Sequence, residues 1–317
     1  MITLDGSLGI STPMQGGIIP NEYINSQTGF KNRIINGRMR IAQRGTSATV
    51  TAGTTVPTIS TGYPCVDRWF IYSVGGNPTV TQVTGAGPDQ NQLQITGAAS
   101  VTQIGVGQRI EQNNSYDLNG STCTLSVDLS NSLLTTVTWT ASYANTIDTF
   151  GTIGTPTKTQ IATGTFTVTS TLTNYNVQIA IPSAATTGIE ILFTVGAQTS
   201  GTWVIDDVQL EKSPYPTTYE FRDYGRELIM CKRYYENLTV LQAYYYQVAG
   251  SPVMIVTTFG TQKRAVPIIA GGVLTGANIT GYAAISDIYG VSMYANATTS
   301  GASVFIYTGG HAECEVA

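Results

Sequence analysis

Short runs of alternating apolar and polar residues recur from residue 31 to about residue 212, and they constrain the fold more than any other feature. In "TCTLSVDL" the residues Cys123, Leu125, Val127 and Leu129 fall on one face. "VTWTASY", "YNVQIAI" and "TWVIDDVQL" repeat the pattern, with Gly, Asn and Pro turns between the runs. Because side chains alternate between the two faces of a strand, each run predicts a strand with one buried face. Together they predict a two-sheet antiparallel sandwich.

Residues 238 to 317 return to strand-like runs after an interruption. "LQAYYYQV", "SPVMIVTTF" and "ASVFIYTG" predict a small C-terminal β domain. After Glu236 the only charged residues are Lys263, Arg264, Asp287, Glu313 and Glu315. A surface so apolar and so poor in charge predicts that this domain associates with other copies.

The interruption between the two β regions predicts a helix. Tyr224, Leu228, Cys231 and Tyr235 are spaced as one helical stripe, and Asp223 precedes them as an N-cap. A helix this short must pack, either on the sandwich or on copies of itself. We predict that this stripe lies at an oligomer interface and that the charges are its solvated flank. Leu228→Asp is then expected to disrupt assembly more than Lys232→Ala or Glu227→Ala.

The sequence is therefore divided into four parts: an extended arm (1–30), a sandwich (31–221), a helical connector (222–237) and the C-terminal β domain (238–317). The arm is rich in Gly, Ser and Pro. It is either a disordered tail or a segment that orders against a partner. Ile18, Ile19, Tyr23 and Ile24 are apolar enough to dock, so we predict that they anchor the protein.

Composition excludes several functions. Charged residues make up 11% of the chain and the net charge is -4, which argues against nucleic acid as a partner. The sequence contains no stretch of about 20 apolar residues, so it predicts no membrane span. The four cysteines lack metal-ligand spacing, so we predict buried free thiols, no metal and no cofactor. The start of the sequence shows no secretory signal, although its hydroxyl- and amide-rich surface suits an extracellular particle. A virion component fits both observations.

Three stretches resemble a module of tailed-bacteriophage virion fibre and appendage proteins. They are "NRIINGRMRIAQRGTSATV" with "YPCVDRWFIY", then "GQRIEQNNSYDLNGSTCTLSVDL", and finally "TWVIDDVQLEKSPYPTTYEFRDYGRELIMCKRYYE". The resemblance implies an all-β chain: a carbohydrate-binding-module-like jelly roll, a short helical connector and a small C-terminal β domain. It also implies a homotrimeric virion protein on a tail, collar or head, bound through its N-terminus to other virion proteins and contacting host surface polysaccharide.

The resemblance also raises the question of a structural calcium ion. Such modules commonly hold one between their first strand and the Asp of a "DDV" ending. "VIDDVQL" is present here, but Arg38 and Arg40 stand in "INGRMR" where an acid would help. The sequence alone leaves the calcium site open.

No set of residues in the sequence predicts catalysis. His311 is the one histidine, and a lone histidine near the C-terminus is usually a surface residue. Asp206 and Asp207 are consecutive, so strand alternation is expected to place them on opposite faces, where they cannot act as a glycosidase pair. We therefore predict that the protein is not an enzyme.

Sugar binding requires exposed aromatic rings with polar neighbours. Trp139 lies on an apolar face and Trp69 follows a charge pair, so both are expected in the core. We predict the glycan contacts in the C-terminal domain, at Tyr245, Tyr282, Tyr289 and Tyr294. The sequence thus predicts a trimeric phage fibre or appendage protein that contacts host glycan. The alternatives are a capsid decoration protein without a receptor role, and a glycan-active enzyme or lectin.

Overall fold

A computed structural model describes residues 30–85 and 90–316. The described residues from Asn32 onward belong to one compact unit. The predicted anchoring residues Ile18, Ile19, Tyr23 and Ile24 lie outside the described residues. Within the described part, no helix is long and apolar enough to cross a membrane.

The first part of this unit is an antiparallel two-sheet sandwich. Its strands are β1 (Ser47–Thr49), β2 (Phe70–Val74), β3 (Thr79–Thr84), β4 (Asn91–Thr96), β5 (Gln103–Ile110), β6 (Thr122–Asn131), β7 (Thr136–Ala144), β8 (Lys158–Thr167), β9 (Thr173–Ala180), β10 (Ile189–Val195) and β11 (Thr202–Glu211). One sheet has the order β1-β3-β4-β11-β6-β9 and the other has the order β2-β5-β10-β7-β8. A short helix, α1 (Gln112–Ser115), and a 3-10 turn (Tyr116–Leu118) connect β5 to β6. Apart from the hairpins β3–β4 and β7–β8, successive strands cross between the sheets, and the sandwich is a jelly roll, as expected.

Alternation along the strands builds the jelly-roll core. Leu125 and Val127 of β6 are fully buried, together with Trp203 of β11. Trp69 is also fully buried, and its indole nitrogen donates to the carbonyl of Asn36 at 3.0 Å. Trp139 is 6% exposed and packs in the same cluster. The predictions that Trp69 and Trp139 belong to the core are confirmed. All four cysteines are buried and free, as predicted.

A β-bulge interrupts β11 at the two aspartates. The pairing of β11 with β6 shifts register between Asp206 and Gln209, and Asp207 has a φ of 45°. An extra residue in one strand suspends the alternation of side chains. The charges of Asp207 and Asp128 both raise the pKa of Asp206, so the three carboxylates are neighbours. The expectation that Asp206 and Asp207 lie on opposite faces is wrong.

Helix α2 (Tyr224–Lys232) begins where predicted, and Asp223 caps it by accepting a hydrogen bond from the Arg226 backbone. Its stripe packs within the chain. Cys231 and the half-buried Leu228 contact a cluster that includes Phe150 of the jelly roll. Tyr224 is 53% exposed, so it does not belong to the buried stripe. The burial of Cys231 and Leu228 therefore needs no second copy, contrary to the oligomer-helix prediction.

The charges around α2 are not a solvated flank either. Glu227 is 5% exposed and accepts from the Asn36 backbone, and it pairs with Arg222 at 3.5 Å. Arg233 pairs with Glu111 of the jelly roll at 3.0 Å. Only Asp223 and Arg226 fit the expectation, with side chains 70% and 71% exposed. The prediction was wrong for Glu227 and Arg233 because Asn36 and Glu111, which they contact, are distant in the sequence.

The rest of the chain forms three small sheets. The strands are β12 (Tyr235–Asn237), β13 (Leu241–Gln247), β14 (Pro252–Thr258), β15 (Ile268–Ala270), β16 (Val273–Ala277), β17 (Ile279–Ser286), β18 (Gly290–Ala297), β19 (Gly301–Thr308) and β20 (His311–Glu313). The sheet orders are β12-β20-β15, β13-β19-β16 and β14-β18-β17. The last two share a core that contains Met293 and Phe305.

The final residues return to the jelly roll. Val316 is fully buried, and its carbonyl accepts from the hydroxyl of Tyr63 at 3.2 Å. Glu315 is also fully buried and pairs with Arg44 at 3.0 Å and with Arg68. Burying a charge is costly unless a partner of opposite sign is present. The junction between the jelly roll and the C-terminal domain therefore contains a buried cluster of paired charges.

Candidate functional site

A polar cleft of about 400 Å³ lies on the outer face of the six-stranded sheet. Ser126 and Asp128 of β6 lie in its wall with Asn174 of β9 and Asp207 of β11. Because Leu125, Val127 and Leu129 point into the core, alternation directs Ser126 and Asp128 outward. Asn174 pairs with Asp128 across the strands, and its amide donates to Asp128 Oδ1 at 2.7 Å.

The segment that follows β11 forms the opposite wall of this cleft. We call residues 213–222 the strap. Its Thr217, Thr218 and Tyr219 line the cleft. Glu211 holds the strap by accepting from the Thr217 backbone at 2.8 Å and from its hydroxyl at 2.7 Å. Gln209 accepts from the Glu220 backbone at 2.8 Å. These bonds hold the strap against β11, the last strand of the jelly roll.

Arg38 joins the cleft to the first segment of the jelly roll. Its guanidinium donates to both oxygens of Asp207, with Nε–Oδ1 at 2.7 Å and Nη2–Oδ2 at 3.0 Å. It also lies over the Tyr219 ring, 4.8 Å from the centroid. Two parallel hydrogen bonds from one planar group fix geometry as well as charge. The positions of Asp207 and Tyr219 are therefore coupled.

An aromatic surface adjoins the cleft beyond Tyr219. Phe221 and Tyr224 are 57% and 53% exposed. The Arg40 guanidinium lies 5.3 Å from the Phe221 centroid and 5.6 Å from that of Tyr224. Exposed aromatic faces next to polar groups are suited to ligands that have both a C–H face and hydroxyls.

The carboxylates of this region are electrostatically crowded. Burial raises the pKa of Asp206 to about 7, and the charges of Asp207 and Asp128 act in the same direction. Burial also raises the pKa of Asp128, although the hydrogen bond from Asn174 opposes the shift. Burial and neighbouring negative charge both favour the protonated, neutral form of an acid.

Ser126 provides a second unusual feature. The residue is 5% exposed, and its hydroxyl is buried without a hydrogen-bond partner. Most buried polar groups in proteins are paired, so each exception calls for an explanation. A ligand in the cleft that Ser126 lines is one explanation.

The residues present do not fit the calcium ion that the sequence resemblance raised. Both oxygens of Asp207 are bound by Arg38, whose positive charge lies where a cation would have to bind. Among residues 30–85 and 90–316, no group of three or more His, Cys, Asp and Glu is arranged to hold a metal.

The four tyrosines predicted from the sequence to contact glycan do not converge. Tyr245 packs half-buried against the C-terminal core, so the outward rings of the "YYY" run are Tyr244 and Tyr246. Tyr282 stacks on Phe305 with centroids 6.1 Å apart. Tyr294 lies on β18 opposite Met254. Tyr289 lines an open groove of about 280 Å³ with Ser292 and Asp287. The structure thus places one of the four in a concave surface.

Sequence reasoning did not identify the cleft. Its residues come from β6, β9, β11 and the strap, and pairing of distant strands brings them together. One signal was available: the apolar positions of β11 change phase between Ile205 and Val208, and such a break in the two-residue period is typical of a bulge.

A scan against protein-family models found no match, and a search of the curated proteins found none. Solved structures that resemble part of the chain include one titled "CBM4 structure and function". The match covers 56% of this chain and 98% of that one, with 18% identity and a TM-score of 0.37. A putative sugar binding protein from Bacteroides thetaiotaomicron is matched over 58% of this chain and 100% of its own, with 15% identity and a TM-score of 0.37.

A third similar structure is the enzymatically active domain of tailspike protein 4 from bacteriophage CBA120. The match covers 57% of this chain and 21% of that one, with 17% identity and a TM-score of 0.34. Scores this low carry no argument about function. The jelly-roll assignment rests on the strand order and pairing of this chain itself.

Proposed function

We propose that this protein binds a glycan in the cleft formed by β6, β9, β11 and the strap. The observation that carries the proposal is the unpaired, buried hydroxyl of Ser126 in a cleft that also presents Asp128, Asn174 and the wall residue Tyr219. Carboxylate and amide groups bind sugar hydroxyls, and aromatic rings contact the C–H faces of sugars. The cleft and the adjoining rings of Phe221 and Tyr224 provide both.

We further propose that the protein is a virion fibre or appendage of a tailed phage, with the cleft directed at host surface glycan. The three stretches that resemble such proteins support this setting, as does the charge-poor surface. In this proposal residues 1–30 attach the protein to other virion proteins. The copies associate as a trimer through the C-terminal domain.

Glycan binding can be tested by titrating the protein with purified host surface polysaccharide and with a panel of oligosaccharides. Asn174→Ala and Asp128→Ala each remove a polar group of the cleft, and we expect about tenfold weaker binding for each loss. Thr165→Ala on the exposed part of β8 is the matched control and is expected to bind normally. Full-strength binding by both cleft variants would remove the basis for this site.

The alternative of a glycan-active enzyme has one observation in its favour, the raised pKa of Asp206 beside two other carboxylates. Two observations argue against turnover. Asp206 is 3% exposed and does not line the cleft, and Arg38 occupies both oxygens of Asp207. We therefore propose binding without turnover. Time-dependent release of reducing ends, lost in Asp206→Asn, would favour the enzyme instead. Particle binding with no glycan affinity would favour a decoration protein.

A further inference from the structure

The charge balance of the cleft distinguishes among glycans. Three carboxylates, Asp128, Asp206 and Asp207, surround the bulge, and they come from two paired strands. Arg38 is the cation that acts on this group, and its guanidinium is committed to Asp207. The cleft thus carries negative charge that Arg38 offsets only in part.

Asp128 and Asp207 both line the cleft, and because Arg38 binds both oxygens of Asp207, Asp128 is the carboxylate that a cationic ligand can pair with. It pairs with Asp206 at the same level of the sheet, so the charge of the buried Asp206 acts on the same space. Because the effective dielectric constant near a buried group is lower than that of water, the charge of Asp206 acts more strongly on a ligand in the cleft. Ser126 lies two residues from Asp128 on β6 and also lines the cleft. Its unpaired hydroxyl independently indicates that a ligand supplies the missing hydrogen bond.

We propose that the glycan bound in this cleft carries protonated amino groups, so that its class is an amino sugar and not a neutral or acidic one. The inference rests on the proposed function, since it assigns a substrate class to the same cleft. An ammonium group offsets the excess negative charge and donates hydrogen bonds to Asp128 and Ser126. A uronate or another acidic sugar adds like charge and is excluded.

A cationic ligand has a second measurable consequence. Burial and the charges of Asp207 and Asp128 raise the pKa of Asp206 to about 7, while Arg38 opposes the shift. A bound ammonium acts as Arg38 does and lowers that pKa. Near pH 6.5, where most of the free Asp206 is still protonated, Asp206 is therefore expected to release protons on binding.

The test compares oligosaccharides of equal length by calorimetric titration of the full chain near pH 6.5: glucosamine oligomers, N-acetylglucosamine oligomers and galacturonate oligomers. We expect the glucosamine oligomer to bind about tenfold more tightly than the acetylated one, and galacturonate most weakly. Titrations in buffers of different ionisation enthalpy measure the net proton exchange, and the difference between the natural protein and Asp206→Asn gives the release from Asp206. Raising the ionic strength to about 0.5 M should reduce the preference.

The discriminating variant is Asp206→Asn, because Asp206 does not line the cleft and its amide oxygen can keep the hydrogen bond from the Asp207 backbone. We expect this variant to lose proton release and most of the amine preference. Asp117→Asn, a 51%-exposed carboxylate outside the cleft, is expected to retain both. If N-acetylglucosamine or galacturonate oligomers bind as tightly as glucosamine oligomers, or if no glucosamine oligomer binds, the inference fails. The proposed function fails separately, when Asn174→Ala and Asp128→Ala leave glycan binding unchanged.

Discussion

At the scale of single residues, Asp206 shows how one inserted position changes local chemistry. Strict alternation would separate Asp206 from Asp207, but the bulge keeps both near Asp128. The main-chain N–H of Asp207 donates to Asp206 Oδ1 at 2.7 Å, which fixes the carboxylate in place. A local hydrogen bond thus holds the Asp206 carboxyl group, while burial and the neighbouring aspartates disfavour its ionised form.

The raised pKa of Asp206 predicts a pH-dependent effect on stability. The folded state holds the proton up to about pH 7, whereas the unfolded chain releases it near 3.8. The folded state therefore loses stability as pH rises from about 4 to 7. Asp206→Asn removes this loss, so its free energy of unfolding should exceed that of the natural protein by roughly 1 to 3 kcal/mol at pH 8.

Urea unfolding at pH 5 and pH 8 measures this difference. At pH 5 the gain should be clearly smaller than at pH 8, because the folded state still holds its proton and only part of the pH range between 3.8 and about 7 has been crossed. Asp67, whose pKa burial raises to about 6, contributes equally to both proteins and cancels in the comparison. A gain that is the same at both pH values would mean that Asp206 is not protonated in the folded state.

At the scale of elements, helix α2 was predictable in position but not in its contacts. The Asp223 cap and the spacing of Leu228 and Cys231 determine where it begins and which side is buried. The role of Glu227 was not predictable, because its partner Asn36 lies 191 positions away. Sequence patterns indicate that a charge exists, and only the fold shows whether it is buried and paired.

Glu227→Ala should consequently be much more destabilising than the helical pattern suggests. It leaves the Asn36 N–H without its acceptor and removes one partner of Arg222, which keeps Glu220 at 3.0 Å. Breaking such a buried pair costs roughly 2 to 4 kcal/mol. Arg226→Ala, on the exposed side of the same helix, should change the free energy of unfolding by less than about 0.5 kcal/mol. Equal losses in thermal and urea unfolding would show that Glu227 is not buried in solution.

The C-terminal segment Cys314–Val316 is a second element whose role depends on the fold. Glu315 pairs with Arg44 and Arg68, whose side chains are 8% and 1% exposed. Arg68 also lies over Tyr234, 3.5 Å from its ring centroid. This segment thus connects the last strand to the jelly roll through a buried charge cluster.

Glu315→Gln keeps the shape of the side chain but removes the carboxylate that pairs with Arg68, and it leaves Arg44 with Asp67 at 3.8 Å. We expect a loss of about 3 to 5 kcal/mol in the free energy of unfolding. Hydrogen exchange should also become faster in residues 311–316. Asp287→Asn removes a carboxylate in the β17–β18 turn, far from this cluster in the sequence, and serves as the control. Unchanged exchange in Glu315→Gln would contradict the view that this charge cluster holds the segment in place.

At the scale of the whole molecule, charged and uncharged surfaces are separated. Alternation and turns were enough to predict two β regions with a helix between them. They could not predict that four of the five late charges, Lys263, Arg264, Glu313 and Glu315, lie at or near the junction with the jelly roll. Lys263, for example, is 1% exposed and pairs with Glu236 at 2.6 Å. The remaining surface of the C-terminal domain is correspondingly poor in charge.

The outer side of the sheet β13-β19-β16 is the clearest uncharged face. Tyr244 and Tyr246 are 71% and 86% exposed on β13. They lie opposite Val304 and Ala302 of β19, and Ile306 continues the same side. Apolar and aromatic side chains gathered on one exposed sheet face favour association. A face without charge can meet the same or a similar face of another copy without like-charge repulsion.

We therefore predict that the double variant Tyr244→Lys, Tyr246→Lys associates at least about tenfold more weakly, because each interface would have to bury unpaired ammonium groups. Sedimentation over a range of concentrations should show the proposed trimer replaced by monomer, with the folded far-UV spectrum kept. Thr163→Lys, Thr165→Lys adds the same charge to exposed positions of β8 in the jelly roll and should leave the trimer intact. A natural protein that is monomeric at all concentrations, or a Tyr244→Lys, Tyr246→Lys protein that remains trimeric, would show that this face does not hold the copies together.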